Sequence, residues 1–97
     1  PPFSKVGALA PLASVEDIVR ECKEMNNCLD TLIRDVLAGH TYFYSWRGTE
    51  RATVMINEIP DFGWMLTEAL GLSNKPISSS TELEIREAVS EQLKVQR

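Results

Sequence analysis

The sequence predicts an α+β domain in which helices cover an antiparallel sheet built around a β-hairpin. Residues 41–57 alternate side chains with a period of two and are rich in aromatic and β-branched residues, which is typical of strands. Segments on both sides of this stretch repeat apolar residues at helical spacing. Because an isolated hairpin is only marginally stable in water, we expect the helices to cover one side of the sheet.

Length and charge narrow the class of protein. The 97 residues suffice for one domain. A formal net charge of −4 argues against non-specific nucleic-acid binding, which depends on Lys and Arg side chains that neutralise phosphates. No apolar run reaches the ~20 residues of a membrane-spanning helix, and no charged segment precedes an apolar one as in a signal peptide. We therefore expect a cytoplasmic protein that does not bind a membrane.

Residues 1–13 differ in composition from the rest of the chain. They contain three prolines, one glycine and several small residues, a composition typical of an extended arm or linker. Apolar side chains recur at about every third position and can dock on the domain or on a partner. We expect an N-terminal arm over 1–13 and a single α+β domain over 14–97.

The first predicted helix has a start signal and a stop signal. Ser14 with Asp17 resembles a capping box, and apolar residues follow at helical spacing as far as Met25. Asn26 and Asn27 then interrupt the pattern weakly. The carboxylates of this segment, including Glu21 and Glu24, are expected to form a solvated acidic face.

Two further helices are predicted. A second apolar stripe covers residues 29–37, and Gly39 stands where a left-handed C-terminal cap is expected. The last helix begins at an N-cap offered by Ser79 or Thr81 and extends to about residue 94. The glutamates of this helix are also expected to face solvent.

The sheet begins with the hairpin. Its two strands meet at the polar, glycine-bearing turn 47–50, and Pro60 and Gly63 mark a second turn. The following run, 64–70, is ambiguous because its residues favour a helix. Its seven residues between two glycines suit a strand equally well.

Several short motifs follow one another in a recognisable order. They are Met25-Asn26-Asn27-Cys28-Leu29, Gly39, Trp46-Arg47 at the end of a strand, Arg51-Ala52-Thr53-Val54 and Gly71-Leu72-Ser73-Asn74. This order, over residues 21–93, resembles the PcfJ-like domain of plasmids, phages and other mobile elements. In that family a Met-x-His-Cys-Val segment precedes a glycine and a strand, and an Arg/Thr strand and a Gly-x-x-Asn stretch follow. The resemblance implies that 64–70 form a strand, which completes the prediction of two helices, a three-stranded antiparallel sheet and a C-terminal helix.

Two residues depart from the family pattern. Asn27 stands where the family has a histidine before the cysteine, and Leu32 stands where a tyrosine is expected. A polar site around that histidine and tyrosine would be incomplete in this chain. The family is associated with conjugative plasmids, so the resemblance implies a setting, that of a plasmid or phage accessory protein, and no particular reaction.

Cys28 and His40 are the only candidates for nucleophilic catalysis. A cysteine near a helix N-terminus can be activated by the helix dipole and a neighbouring base, and His40 is the one histidine in the chain. No family signature surrounds either residue, so we expect no catalytic site. The six-residue spacing of Cys22 and Cys28 lacks a zinc pattern, and we expect reduced thiols, no metal and no cofactor.

The hairpin supplies the candidate binding residues, which are Tyr42, Tyr44, Trp46, Arg47, Arg51 and Trp64. Three interpretations remain open for the aromatic row. It packs in the core, or it forms a protein-binding surface of the Trp, Tyr and Arg type, or it stacks the bases of a single-stranded nucleic acid. An exposed row requires that the helices cover Phe43, Val54 and Ile56 instead.

We therefore expect a non-enzymatic interaction domain of a mobile genetic element that binds another protein. The alternatives are a nucleic-acid-binding module that uses the aromatic and arginine side chains, and a cysteine-dependent enzyme that uses Cys28.

Overall fold

The chain forms a four-stranded antiparallel sheet with one α-helix on each face in the computed structural model, which describes residues 2–27, 36 and 38–95. The elements are β1 (Leu9–Pro11), α1 (Val15–Met25), β2 (Thr41–Arg47), β3 (Arg51–Ile59), β4 (Gly63–Leu70), a 3-10 turn (Leu72–Asn74) and α2 (Ser79–Val95). The α+β class is as predicted.

The predicted three-stranded sheet is wrong, because the N-terminal segment adds a fourth strand. The strand order is β1-β2-β3-β4, and Leu9 of β1 lies opposite Trp46 of β2. Phe3 and Leu9 are buried, so residues 1–13 include part of the core rather than only an extended arm. Pro11 is tolerated because β1 is an edge strand, where a missing N–H need not break a ladder.

The predicted pair of N-terminal helices is also not what the structure shows. The one helix before β2 whose bounds the described residues give is α1, which has the predicted bounds, and Val36 is a single described helical residue beyond it. The Ser14 side chain accepts a hydrogen bond from the Asp17 N–H, and Asn26 ends the helix in the left-handed conformation (φ 50°). The second predicted helix, over 29–37, lies outside the described residues except for Val36.

The run 64–70 is a strand, as predicted. It belongs to β4, which pairs with β3 and contains one extra residue, Thr67, between the pairs Ile56–Leu66 and Met55–Glu68. The Thr67 hydroxyl lies 2.6 Å from the Asn57 Oδ1 atom and fixes this bulge.

Both faces of the sheet are covered, so the prediction that helices pack on one side is wrong. Successive side chains of a strand point to opposite faces. Tyr44 and Val54 lie opposite each other and pack with Ile85 of α2, whereas Phe43, on the other face, packs with Ile18 of α1. The two helices therefore form the outer layers of a three-layer domain.

The turn between β2 and β3 attaches α2 to the sheet. Ser78 caps α2, since its hydroxyl accepts a hydrogen bond from the Thr81 N–H at 3.3 Å, and it lies one residue before Ser79 and three before Thr81, the predicted alternatives. The same hydroxyl donates to the Glu50 carboxylate at 2.7 Å. Hydrogen bonds from Thr81 and Ser78 lower the pKa of Glu50. Neither described helix has the length and apolar character needed to cross a membrane.

Candidate binding groove at the sheet edge

The structure places the predicted aromatic row mainly in the core. Tyr44 is 0% exposed, its ring stacks on Phe3 with centroids 4.4 Å apart, and its hydroxyl donates to the Phe3 carbonyl at 2.6 Å. Burial raises the pKa of Tyr44 to about 12. Tyr44 therefore belongs to the core and is part of neither a protein-binding surface nor a base-stacking surface.

Trp46 is likewise a core residue, only 7% exposed. Gly48 of the hairpin turn lies against its indole, and a Cβ atom at Gly48 would come within 2.7 Å of the Trp46 Nε1 atom. The turn therefore needs glycine at this position because any side chain would collide with the ring.

Arg47 and Arg51 lie on the opposite face of the sheet from Tyr44 and Trp46. They are cross-strand neighbours, and both pair with Glu24 of α1, at 3.8 Å and 3.3 Å respectively. The predicted combination of aromatic and arginine side chains is therefore divided between two faces. The reason is that Trp46 and Arg47 are consecutive residues of one strand, which point to opposite sides.

Arg51 belongs to a buried polar cluster that the sequence interpretation missed. Glu21 is 1% exposed, and its carboxylate accepts hydrogen bonds from Thr53 at 2.7 Å and from Arg51 at 3.1 Å. Arg51 also donates to Ser45 at 3.2 Å. The predicted solvated position of Glu21 is wrong. A signal was present, because Glu21 shares the helical spacing of the buried residues Ile18 and Met25.

The two residues considered for catalysis do not form a described site. Cys28 lies outside the described residues. His40 is exposed, and its Nδ1 atom lies 3.3 Å from the Glu58 carboxylate. Among the residues that the structure describes, no group of histidine, cysteine and acidic side chains is placed to hold a metal ion.

Tyr42 and Trp64 lie on the α2 face of the sheet and remain partly exposed. Their rings are 5.6 Å apart and tilted by 59°. Trp64 also lines a groove of about 340 Å³ between β4 and α2, together with Leu66, Val89 and Leu93. The groove therefore has an aromatic and aliphatic floor.

The rim of the groove is positively charged. Arg86 and Lys94 of α2 line it, and none of its described lining residues is acidic. Arg86 also pairs with Glu82 one turn earlier on α2, at 3.0 Å, and its side chain remains 59% exposed. This is a local departure from the acidic balance of the chain.

The groove runs beside an open edge of the sheet. β4 pairs with β3 on one side, and no residue of the described ranges pairs with its outer side. The other edge strand, β1, has only three residues, whereas β4 has eight. Edge strands of this length present unpaired N–H and C=O groups to another chain. Sequence reasoning identified Trp64 but not the groove, because α2 supplies the opposite wall from a distant part of the chain.

No protein-family model, no curated protein and no solved structure matches the chain.

Proposed function

We propose that this chain is a non-enzymatic interaction domain that binds an extended segment of another protein along β4 and in the adjoining groove. The observation that carries the proposal is an eight-residue strand, β4, whose outer edge pairs with no described residue and which has an apolar groove beside it. Strand addition provides main-chain hydrogen bonds, and a neighbouring pocket selects side chains.

Contacts elsewhere in the domain favour protein over nucleic acid as the partner. Stacking of bases requires exposed aromatic rings, whereas Tyr44 and Trp46 are buried. Non-specific phosphate binding depends on an excess of cations, whereas the chain has a formal net charge of −4, and Arg47 and Arg51 of the hairpin are paired with carboxylates of α1. Nucleic acid therefore remains the weaker alternative.

We further propose that the chain is an accessory protein of a plasmid or phage and acts in the cytoplasm of the cell that carries it. The support for that setting is the order of motifs in the sequence, which resembles that of the PcfJ-like family.

Selection of random displayed peptides against the immobilised full chain tests the proposal. We expect peptides enriched on the native chain to bind the Leu93→Asp variant at least about tenfold more weakly, a loss of about 1.4 kcal/mol. Leu83→Asp is the matched control, since Leu83 lies on the same helix, is exposed and does not line the groove. Absence of any enriched peptide, or equal binding to both variants, would contradict the proposal.

A further inference from the structure

We infer that the segment bound at β4 is acidic, with an apolar residue midway between two carboxylates that are four residues apart. This inference rests on the proposed function and adds the chemistry of the partner. It follows from the charges on the groove wall, the spacing of those charges and the geometry of an added strand.

The charges come from one wall of the groove. Arg86 and Lys94 are both on α2, and both side chains are exposed to solvent. Glu87 and Glu91 of α2 line a separate depression together with Arg86 and Lys94. Neither glutamate lines the groove. Glu68 of β4 is paired with Met55, whose side chain packs on the α1 face. The described lining residues of the groove therefore supply two cations and no carboxylate, although Arg86 also donates to Glu82, which lies outside the groove, at 3.0 Å.

The spacing of the two cations matches an extended chain. Eight residues of helix separate Arg86 from Lys94, which is about 12 Å along the axis. In a β-strand, residues i and i+4 lie on the same face and are about 13 Å apart. Two carboxylates with this separation can each reach one cation, and the side chain at i+2 lies between them.

The middle of the groove is apolar. Val89 and Leu93 lie between or beside the two cations on α2, and Trp64 and Leu66 face them from β4. A residue at i+2 of an added strand would lie over these side chains, so an aliphatic or aromatic side chain suits that position. The residues at i+1 and i+3 point to the other face, away from Val89 and Leu93, so the helix wall of the groove places no demand on them.

The bulge at Thr67 limits where a strand can pair. Bulges bend an edge strand and interrupt its ladder. The regular part of β4 before the bulge is Gly63 to Leu66, which is also the part that lines the groove through Trp64, Met65 and Leu66. The added strand is therefore expected to pair with this first half of β4.

Binding of designed peptides to the full chain tests the inference by fluorescence anisotropy. The probe is a labelled nonapeptide of serine and threonine with glutamate at its third and seventh positions and isoleucine at its fifth. We expect about tenfold weaker binding when both glutamates are replaced by glutamine, because charge-assisted hydrogen bonds are roughly twice as strong as neutral ones. Moving the second glutamate to the sixth position turns it to the other face and should weaken binding similarly.

Variants of the chain supply the reciprocal test. Arg86→Glu and Lys94→Glu should each weaken binding of the glutamate peptide and improve binding of a matched lysine peptide. Lys75→Glu has the same charge change on an exposed residue that does not line the groove, and it should leave binding unchanged. Amide hydrogen exchange over Gly63 to Leu66 should slow in the complex.

Three outcomes would overturn the inference. One is binding of the glutamine peptide within about twofold of the glutamate peptide. The second is binding without slower exchange in the first half of β4. The third is a free chain that sediments as a dimer with those amides already protected, which would identify a second copy as the occupant. If displayed peptides still require Leu93 in any of these cases, the proposed function stands while the acidic partner does not; if none binds, both fail.

Discussion

The two faces of the sheet hold their helices by different means. On the α2 face, buried aromatic and aliphatic side chains pack against Ile85 and Val89. On the α1 face, the described residues form a small apolar cluster around Phe43, and a buried carboxylate, Glu21, bonds to Arg51 and Thr53. The difference teaches that one hairpin can supply an apolar face and a polar face from residues that are adjacent in sequence.

The largest expected effect is on the apolar face. Trp46→Ala removes a buried indole and should lower the free energy of unfolding by about 3–5 kcal/mol. Urea denaturation followed by circular dichroism measures the loss. Trp64→Ala is the comparison, because the Trp64 side chain is only partly buried, and we expect a loss of about 1–2 kcal/mol with the fold retained. Equal losses for the two variants would contradict the assignment of Trp46 to the core.

A somewhat smaller effect is expected on the polar face. Arg51→Ala leaves the buried carboxylate of Glu21 without its cation, and we expect a loss of about 2–3 kcal/mol, below the full value for buried pairs because Arg51 is one-third exposed. Arg47→Ala is the control, since its contact with Glu24 is 3.8 Å and half-exposed, and it should change stability by less than about 1 kcal/mol. A loss of unfolding free energy for Arg51→Ala that is as small as the loss for Arg47→Ala would show that the buried cluster contributes little to stability.

Tyr44→Phe tests how the N-terminal segment is attached to the apolar face. The variant keeps the ring but removes the hydroxyl that bonds to both the N–H and the carbonyl of Phe3, and we expect a loss of about 1–3 kcal/mol.

The Tyr44 hydroxyl should also make the stability of the domain depend on pH. Because burial raises the pKa of Tyr44 from 10.0 to about 12, its contribution to stability is complete below pH 10 and is lost as the pH rises toward 12. Denaturation curves at several alkaline pH values should show this decline in the native chain and a smaller decline in Tyr44→Phe. An identical decline in both would contradict the prediction.

The smallest expected effect concerns the attachment of α2 to the hairpin turn. Hydrogen bonds from Thr81 and Ser78 lower the pKa of Glu50 from 4.5. The carboxylate therefore stabilises the fold above that pH, and the contribution is lost as the pH falls through the folded-state pKa. Thermal melts across this acidic range should show a melting temperature that falls with pH in the native chain and falls less in Glu50→Gln. Glu84→Gln, on an exposed position of α2, should retain the drop.

Local patterns predicted the elements whose signals are contained in a few consecutive residues. Ser14 and Asn26 bound α1 as expected because a capping side chain and a left-handed residue act within one helical turn. The hairpin from β2 to β3 follows from period-two alternation and its turn. β1 was missed because three residues with a proline carry no strand signal and pair only when β2 is already present.

The candidate site was predicted only in part for the same reason. Trp64 was selected for its residue type, and it does line the groove. Arg86 and Lys94 were not selected, since nothing in their local sequence indicates that α2 lies against the edge of β4. Tyr44 and Trp46 were considered as surface candidates because alternation identifies which residues share a face but not whether that face is covered.

By itself, therefore, the sequence determined the α+β class, the bounds of α1 and the hairpin. The tertiary structure decided that both faces are covered and that Glu21 is buried beside Arg51. It also decided that the outer edge of β4 pairs with no described residue and lies beside a groove lined by Arg86 and Lys94. The physical reason is range. Backbone geometry and capping act between near neighbours in sequence, whereas burial depends on which distant segments meet, and the domain brings α2 to β4 and α1 to Arg51 only when the whole chain has folded.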